Sequence, residues 1–288
     1  MYGVFRLKQR ISALLLALTL LLTGCAAQSG APSADILATT APVAQIVSAV
    51  TAGSGLTVAT LISEPVSCVH DYALSVDQMR TVEQAKLVVL NGAGLEEFMG
   101  DTLDACASVI DASQGLTLLP GEEEYDPHIW LAPENMIAMT HTVEAALAAE
   151  YPQHAALFSE NADAWCSRLE DLQAYGEQQL AALPCRDLVT FHDGFAYFAQ
   201  AFDLEIAASM EIEAGSEPSA RELEDIVRLL REQKIPAVFT EINGTADAAE
   251  LVARETGCAV FSLDTAISAA DYFAAMRRNI DTIKEALG

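Results

Sequence analysis

The sequence predicts an α/β protein with two lobes, each built on a four-stranded parallel sheet, joined by one long helix. Three observations support this prediction. Short β-rich runs alternate with helical patterns from Asp35 onward, the runs fall into two sets of four, and one unusually long helical pattern separates the sets. Such alternation is typical of parallel sheets covered by helices. A length of 288 residues suits one large domain or two smaller ones.

The two sets of strand candidates define the two lobes. The first set lies in the predicted N-terminal lobe, residues 35–150, and comprises Ile36 to Thr40, Leu56 to Ile62, Leu87 to Asn91 and Ser108 to Ile110. The second set lies in the predicted C-terminal lobe, residues 185–288, and comprises Leu188 to Phe191, Glu205 to Ser209, Ala237 to Thr240 and Ala259 to Leu263.

The long helical pattern covers residues 151–184, between the two sets. Tyr151-Pro152 marks its start and Pro184 its end. One face is defined by spacings of three and four through Leu157, Asn161, Trp165, Leu169, Leu172, Tyr175, Gln179 and Leu183. About 30 helical residues span roughly 45 Å, enough to run along both lobes and join them rigidly. The alternative is two helices broken near Gly176.

The first residues have the order of a bacterial export signal. Three cationic residues (Arg6, Lys8 and Arg10) precede an apolar run from Ile11 to Leu22, which is shorter than the roughly 20 residues of a membrane-spanning helix. The sequence Leu22-Thr23-Gly24-Cys25 resembles the lipobox of bacterial lipoproteins, in which the cysteine is lipidated and the chain is cut before it. We therefore expect a signal peptide at 1–24, a lipid anchor on Cys25 and a flexible tether at 25–34. The alternative is an ordinary secretory signal with a chance cysteine.

The composition limits the partners of the mature chain. The formal net charge is −26, and removing residues 1–24, which carry three positive charges and no negative one, changes it to −29. A surface this acidic repels nucleic-acid phosphates and anionic lipid headgroups but attracts cations. We expect an extracytoplasmic protein that is held at the cell membrane by its lipid and is a monomer.

Five cysteines remain besides Cys25, and their number and spacing do not indicate a metal site or a particular set of disulfide bridges. They are Cys68, Cys106, Cys166, Cys185 and Cys258. None forms the Cys-x-x-Cys pair of structural zinc sites. We interpret them as buried small apolar residues or as one or two disulfide bridges, which an extracytoplasmic location permits.

Three of the five histidines lie in loops or at strand ends. His70 follows the second strand candidate, His128 lies in a Pro-bounded segment, and His192 directly follows Leu188 to Phe191. Two carboxylates, Glu241 and Asp264, also stand at strand ends. Because ligands of open α/β sheets bind outside the carboxyl ends of strands, two facing lobes would bring these side chains together. Three imidazoles and one carboxylate suffice for a four-coordinate divalent metal.

The remaining polar groups receive less direct roles. His141 and His154 fall on helical patterns, and we assign both to ordinary helix faces. Glu241 is expected to orient an imidazole through its other ring nitrogen rather than to bind the metal.

Several motifs together resemble one family, the metal-binding lipoproteins of bacterial zinc and manganese ABC importers (cluster A, solute-binding protein family 9). The resembling segments are Asn91-Gly92-Ala93-Gly94-Leu95-Glu96, Asp126-Pro127-His128-Ile129-Trp130-Leu131, Phe191-His192-Asp193-Gly194-Phe195-Ala196-Tyr197-Phe198, Phe239-Thr240-Glu241 and Leu263-Asp264. The resemblance covers nearly all of 36–288 and implies a metal site between the lobes. Carried over residue by residue, it implies the ligands His70, His128, His192 and Asp264. The family usually has proline where Thr265 follows the final aspartate.

The resemblance implies capture of a divalent transition metal and its delivery to the membrane permease of an ABC importer. Three neutral imidazoles favour zinc as the bound metal. The single carboxylate also suits manganese, which we rank second, and leaves iron as a further alternative. Metal affinity should fall as the pH drops through the titration range of imidazole. An enzyme such as a zinc-dependent hydrolase is a rival, but Asp264 would close the open position that catalysis needs, and no His-Glu-x-x-His or Gly-x-Ser-x-Gly motif occurs. A surface adhesin with a structural metal is the second rival.

Overall fold

Two four-stranded parallel sheets, one on each side of a 26-residue helix, organise the chain. The structure is a computed structural model that describes residues 34–64, 72–121, 124–210 and 218–288. The predicted signal peptide, Cys25, Cys68 and His70 lie outside the described residues. No helix in the described part of the chain is both long and apolar enough to cross a membrane.

The N-terminal lobe is a parallel sheet with the strand order β2-β1-β3-β4. Its strands are β1 (Ile36–Ala38), β2 (Val58–Thr60), β3 (Val88–Leu90) and β4 (Val109–Asp111). Its helices are α1 (Ala41–Val50), α2 (Val76–Gln84) and α3 (Pro133–Glu150), with 3₁₀ turns at Leu95–Ala105 and Ile129–Leu131.

The C-terminal lobe repeats this arrangement with the strand order β6-β5-β7-β8. Its strands are β5 (Asp187–Thr190), β6 (Glu205–Ser209), β7 (Ala237–Glu241) and β8 (Ala259–Leu263). Its helices are α5 (Ala196–Ala201), α6 (Ala220–Gln233), α7 (Asp247–Thr256) and α8 (Tyr272–Leu287). The predicted α/β class and both sheets are therefore confirmed.

The linking helix α4 (Ala155–Leu180) follows a short 3₁₀ turn at Pro152–His154 and spans about 39 Å. It is continuous through Gly176, so the alternative of two helices broken there is wrong. A Cβ at Gly176 would lie 2.2 Å from the ring of Phe202, so glycine allows α5 and the residue after it to pack closely on the helix.

Side chains of α4 bind both lobes. The Asn161 amide donates to the carbonyl oxygens of Val50 and Ala52 in the N-terminal lobe, both at 2.9 Å. Toward the C-terminal lobe, the guanidinium of Arg168 stacks 4.0 Å from the ring centre of Phe273 on α8. The larger buried apolar cluster accordingly runs through both lobes along this helix. The two lobes thus share one core, and α4 fixes their relative position.

A second buried cluster belongs to the C-terminal lobe alone. Val189 and Val238 of its sheet pack there against Ile226 of α6 and Val252 of α7. The central strand β7 is buried at all five positions, whereas the edge strands β6 and β8 are only partly buried. Such complete burial is typical of a central strand in a parallel sheet and explains the apolar run Ala237-Val238-Phe239.

The cysteines of the described residues are single thiols. Cys106, Cys166, Cys185 and Cys258 are free, so no disulfide bridge joins any two of these four. The alternative of small, partly buried apolar residues therefore holds for them.

Candidate metal centre

His192 and Glu241 lie where the order of the second sheet reverses. The chain passes from β5 outward to β6 and then returns to form β7 on the other side of β5, which leaves a crevice at the carboxyl ends of β5 and β7. His192 follows β5 and Glu241 ends β7; both are buried, with exposed fractions of 6% and 7%. Glu241 Oε1 lies 3.5 Å from His192 Nε2. The carboxylate therefore approaches Nε2 of the His192 ring.

His128 is held by the segment that joins β4 to α3. One carboxylate oxygen of Asp126, Oδ1, accepts hydrogen bonds from the backbone N–H of His128 at 2.9 Å and from its Nδ1 at 2.8 Å. Because an ionised carboxylate only accepts, the ring proton is on Nδ1. The lone pair of Nε2 is therefore directed away from Asp126.

The residues after β3 hold the His128 segment in place. Asn91 follows β3, and its side-chain amide donates to the carbonyl oxygen of Pro127 at 3.0 Å. Buried Glu96 in turn accepts from the backbone N–H groups of Asn91 and Gly92 and from the hydroxyl of Thr39. Burial raises the pKa of Glu96 to about 7, although these hydrogen bonds oppose the shift. The network fixes the ends of β1 and β3 next to the histidine-bearing segment.

The imidazoles of His128 and His192 meet across the two lobes. Their Nε2 atoms are 3.3 Å apart, and the rings stand nearly perpendicular with centres separated by 5.1 Å. Gly194 makes this approach possible, because a Cβ there would lie 2.9 Å from His192 Nε2 and 3.0 Å from His128 Cδ2. The two nitrogens thus lie within hydrogen-bond distance of each other, one from each lobe.

Asp264 directly follows β8, and both of its carboxylate oxygens are hydrogen-bonded. Oδ2 lies 2.8 Å from Nη2 of Arg278 on α8, and Oδ1 accepts from the backbone N–H of Ala266 at 2.8 Å. Its backbone is held by Asn279, whose side chain bonds both the N–H and the carbonyl oxygen of Asp264. The described contacts of this carboxylate are therefore with Arg278 and Ala266.

The structure thus brings together some of the predicted site residues. His128 and His192 are adjacent, and Glu241 contacts His192; the third predicted imidazole, His70, lies outside the described residues. Among the described residues, no group of three or more His, Cys, Asp or Glu side chains is arranged to hold a metal ion.

Three polar contacts close the lobes around this site. Trp130 Nε1 donates to the carbonyl oxygen of Thr265 at 2.6 Å. The hydroxyl of Tyr197 accepts from the backbone N–H of Leu119 at 2.8 Å and donates to the carbonyl oxygen of Asp126 at 3.1 Å. Sequence reasoning assigned no role to Asp126, Tyr197 or Arg278. For Asp126, the Asp126-x-His128 spacing was the one sequence signal that could have indicated its role.

The other two histidines lie on helical segments, as expected. His141 is exposed on α3, with Nε2 3.8 Å from the thiol sulfur of Cys166. Burial raises the pKa of Cys166 to about 11, so this thiol is protonated at neutral pH and is a poor metal ligand. His154 lies in the turn before α4 and packs against Phe158.

Comparison with known families gives a match over almost the whole described chain. Residues 36–286 match the family ZnuA, described as the periplasmic component A of a zinc-uptake complex. The chain belongs to the ZnuA family. The family is one of transport components and not of enzymes.

Two relatives and one solved structure are similar to this chain over most of its length. The manganese-binding lipoprotein MntA of Bacillus subtilis is 30% identical over an alignment of 307 positions, gaps included, which covers 98% of this chain and 100% of that protein. The zinc-binding protein TroA of Treponema pallidum is 28% identical over 241 residues, 76% of this chain and 78% of that protein. A crystal structure of ZnuA has a TM-score of 0.80 at 29% identity, covering 89% of this chain and 100% of the other.

Proposed function

We propose that this member of the ZnuA family captures a divalent transition-metal ion between its lobes and delivers it to the permease of an ABC importer. The proposed ligands are His70, His128, His192 and Asp264, with Glu241 beside His192. The proposed topology is a lipoprotein that is cleaved before Cys25 and tethered by residues 25–34.

One distance carries the proposal. In a tetrahedral zinc site with Zn–N bonds of about 2.0–2.1 Å, two ligand nitrogens are separated by about 3.3 Å. The Nε2 atoms of His128 and His192 are 3.3 Å apart in the structure. Asp126 supports the arrangement, because its bond to Nδ1 selects the tautomer whose Nε2 lone pair can bind a metal.

The ligand chemistry places zinc first and manganese second. Imidazole suits zinc, and at a given site zinc binds more tightly than manganese. Relatives named for zinc and for manganese are both similar to this chain, which agrees with a site whose metal depends on details of its ligands. The carboxylate of Asp264 is the ligand that a harder ion such as manganese would use most.

Capture and release fit the architecture better than catalysis does. A fourth protein ligand would fill the position that a catalytic zinc keeps open for water. The continuous helix α4 binds both lobes, so we expect small lobe motions on metal exchange rather than a wide hinge.

The test is calorimetry with zinc and with manganese on the metal-stripped mature chain. We expect one ion per chain, a loss of affinity of at least about 100-fold in His128→Ala, and no change in the exposed control His141→Ala. Unaltered binding by His128→Ala would refute the proposed site. An ion that binds but does not exchange with a chelator within hours would indicate a structural metal and contradict transport.

A further inference from the structure

Two consecutive residues of α8 hold Asp264 in different ways. Asn279 is buried and bonds the backbone N–H and carbonyl oxygen of Asp264 at 2.8 Å and 2.7 Å. Arg278 instead takes the carboxylate, with Nη2 2.8 Å from Oδ2. The backbone of this strand end is therefore fixed, while its side chain is bound to a group that can leave.

The environment of the ion pair is asymmetric. The side chain of Asp264 is 17% exposed, whereas that of Arg278 is 56% exposed. A guanidinium at this exposure can rotate into water and remain hydrated, at a smaller cost than moving a buried charge. The carboxylate that stays behind would then carry an uncompensated negative charge, which attracts a cation.

We propose that Arg278 is an internal competitor of the cargo ion: its guanidinium holds the Asp264 carboxylate in the metal-free protein, weakens metal capture and assists release. This inference rests on the proposed function, because it requires Asp264 to be a metal ligand. Metal binding through Oδ2 displaces Arg278 to solvent, and the return of Arg278 to Oδ2 favours departure of the ion.

The competition also discriminates between metals. Zinc can bind through the imidazoles while Arg278 still holds Asp264, so it loses little affinity to the competition. Manganese, which prefers oxygen ligands, must displace Arg278 from the carboxylate and loses more. Arg278 therefore raises the preference for zinc over manganese.

The test measures zinc and manganese affinities of Arg278→Ala by competition with a chelator. We expect affinity to rise about threefold to tenfold for manganese and about twofold for zinc, as suits a partly exposed ion pair. Arg278→Lys keeps the charge and should stay within about twofold of the unmodified chain for both ions. Arg228→Ala is the matched control, since Arg228 pairs with Asp225 at 2.7 Å on the solvent-facing side of α6 and should change neither affinity.

A double-mutant cycle shows whether the effect passes through Asp264. In an Asp264→Asn background, Arg278→Ala should raise neither affinity, because the competing pair is already broken. A gain that persists in that background, an equal gain in Arg278→Lys, or weaker binding in Arg278→Ala would overturn the inference. If the unmodified chain binds metal through His128 but Arg278→Ala changes nothing, only the inference fails. If no metal binds at all, the proposed function fails first.

Discussion

Asp126 binds the ring and the backbone of His128 with a single oxygen atom. Its Oδ1 lies 2.8 Å from Nδ1 and 2.9 Å from the backbone N of His128, and the exposed fractions of the two residues are 7% and 4%. A carboxylate in this position fixes the orientation and tautomer of an imidazole and increases its basicity. Asp126 therefore prepares Nε2 to face His192.

The first prediction removes this support in two steps. Asp126→Asn keeps an oxygen that can accept the Nδ1 proton but loses the charge, and should weaken zinc binding about tenfold. Asp126→Ala loses both and should weaken it about 100-fold, the upper end of the range for partners of metal-binding histidines. Calorimetry measures both values. The graded order is the check: equal affinities in the two variants and the unmodified chain would show that Asp126 does not orient a ligand.

The second prediction concerns the space between the two imidazoles. Gly194→Ala adds a methyl group within 3.0 Å of atoms of both rings, so it should separate them and lower zinc affinity at least about tenfold. The backbone adds no strain of its own, because Gly194 is not in the left-handed region, so the loss of stability comes from displacing the two buried rings.

Gly115→Ala provides the opposite control. Gly115 has a φ of +85° with open space around its would-be Cβ, so alanine should cost about 1 kcal/mol of stability and leave metal affinity unchanged. Calorimetry and thermal unfolding of both variants separate the two effects. A Gly194→Ala protein with full affinity would mean that the rings do not need this approach to bind metal.

Much of the fold could be predicted because parallel strands buried on both faces leave a plain sequence signal. The five residues of Ala237–Glu241 are all buried; Pro236 precedes them, and they begin with the apolar run Ala237-Val238-Phe239. The linking helix could be predicted because its apolar spacing persists for seven turns. Its end could not be placed accurately: the sequence favoured Pro184 as the stop, whereas the α-helix ends at Leu180.

The site was less accessible to sequence reasoning. Strand-end placement pointed to His192 and Glu241, but only the strand order shows that β5 and β7 are neighbours. The Asp264–Arg278 pair joins a strand end to the second turn of α8 and depends on how that helix packs on the sheet. The side of the imidazole that Glu241 approaches likewise depends on a rotamer, which residue spacing does not specify.

The third prediction concerns the pH dependence of stability. Burial raises the pKa of Glu96 from 4.5 to about 7, so between these pH values the folded chain holds a proton that the unfolded chain has released. Protonated Glu96 therefore adds about 3 kcal/mol to the free energy of unfolding below about pH 4.5. This contribution is lost as the pH rises toward 7.

Glu96→Gln tests this sign. The amide does not titrate, so urea unfolding between pH 4.5 and 7 should show a less negative dependence of stability on pH in the variant than in the unmodified chain. The slope is compared, not the absolute stability, because the amide cannot accept every hydrogen bond that Glu96 accepts. Parallel slopes for the two proteins would contradict the raised pKa.

The fourth prediction concerns the hydroxyl that joins the lobes beside the site. Tyr197 is 2% exposed, and its hydroxyl is the partner of both the Leu119 N–H and the Asp126 carbonyl oxygen. Tyr197→Phe leaves both groups without that partner and should cost about 1–3 kcal/mol in urea unfolding. Tyr175→Phe, which removes an exposed hydrogen bond to Asp281, is the control and should cost less than about 1 kcal/mol.

The hydroxyl of Tyr197 also holds the backbone of Asp126. Tyr197→Phe should therefore weaken zinc binding a few-fold, and Tyr175→Phe should not. A stability loss without any change in affinity would show that Tyr197 joins the lobes but does not position His128.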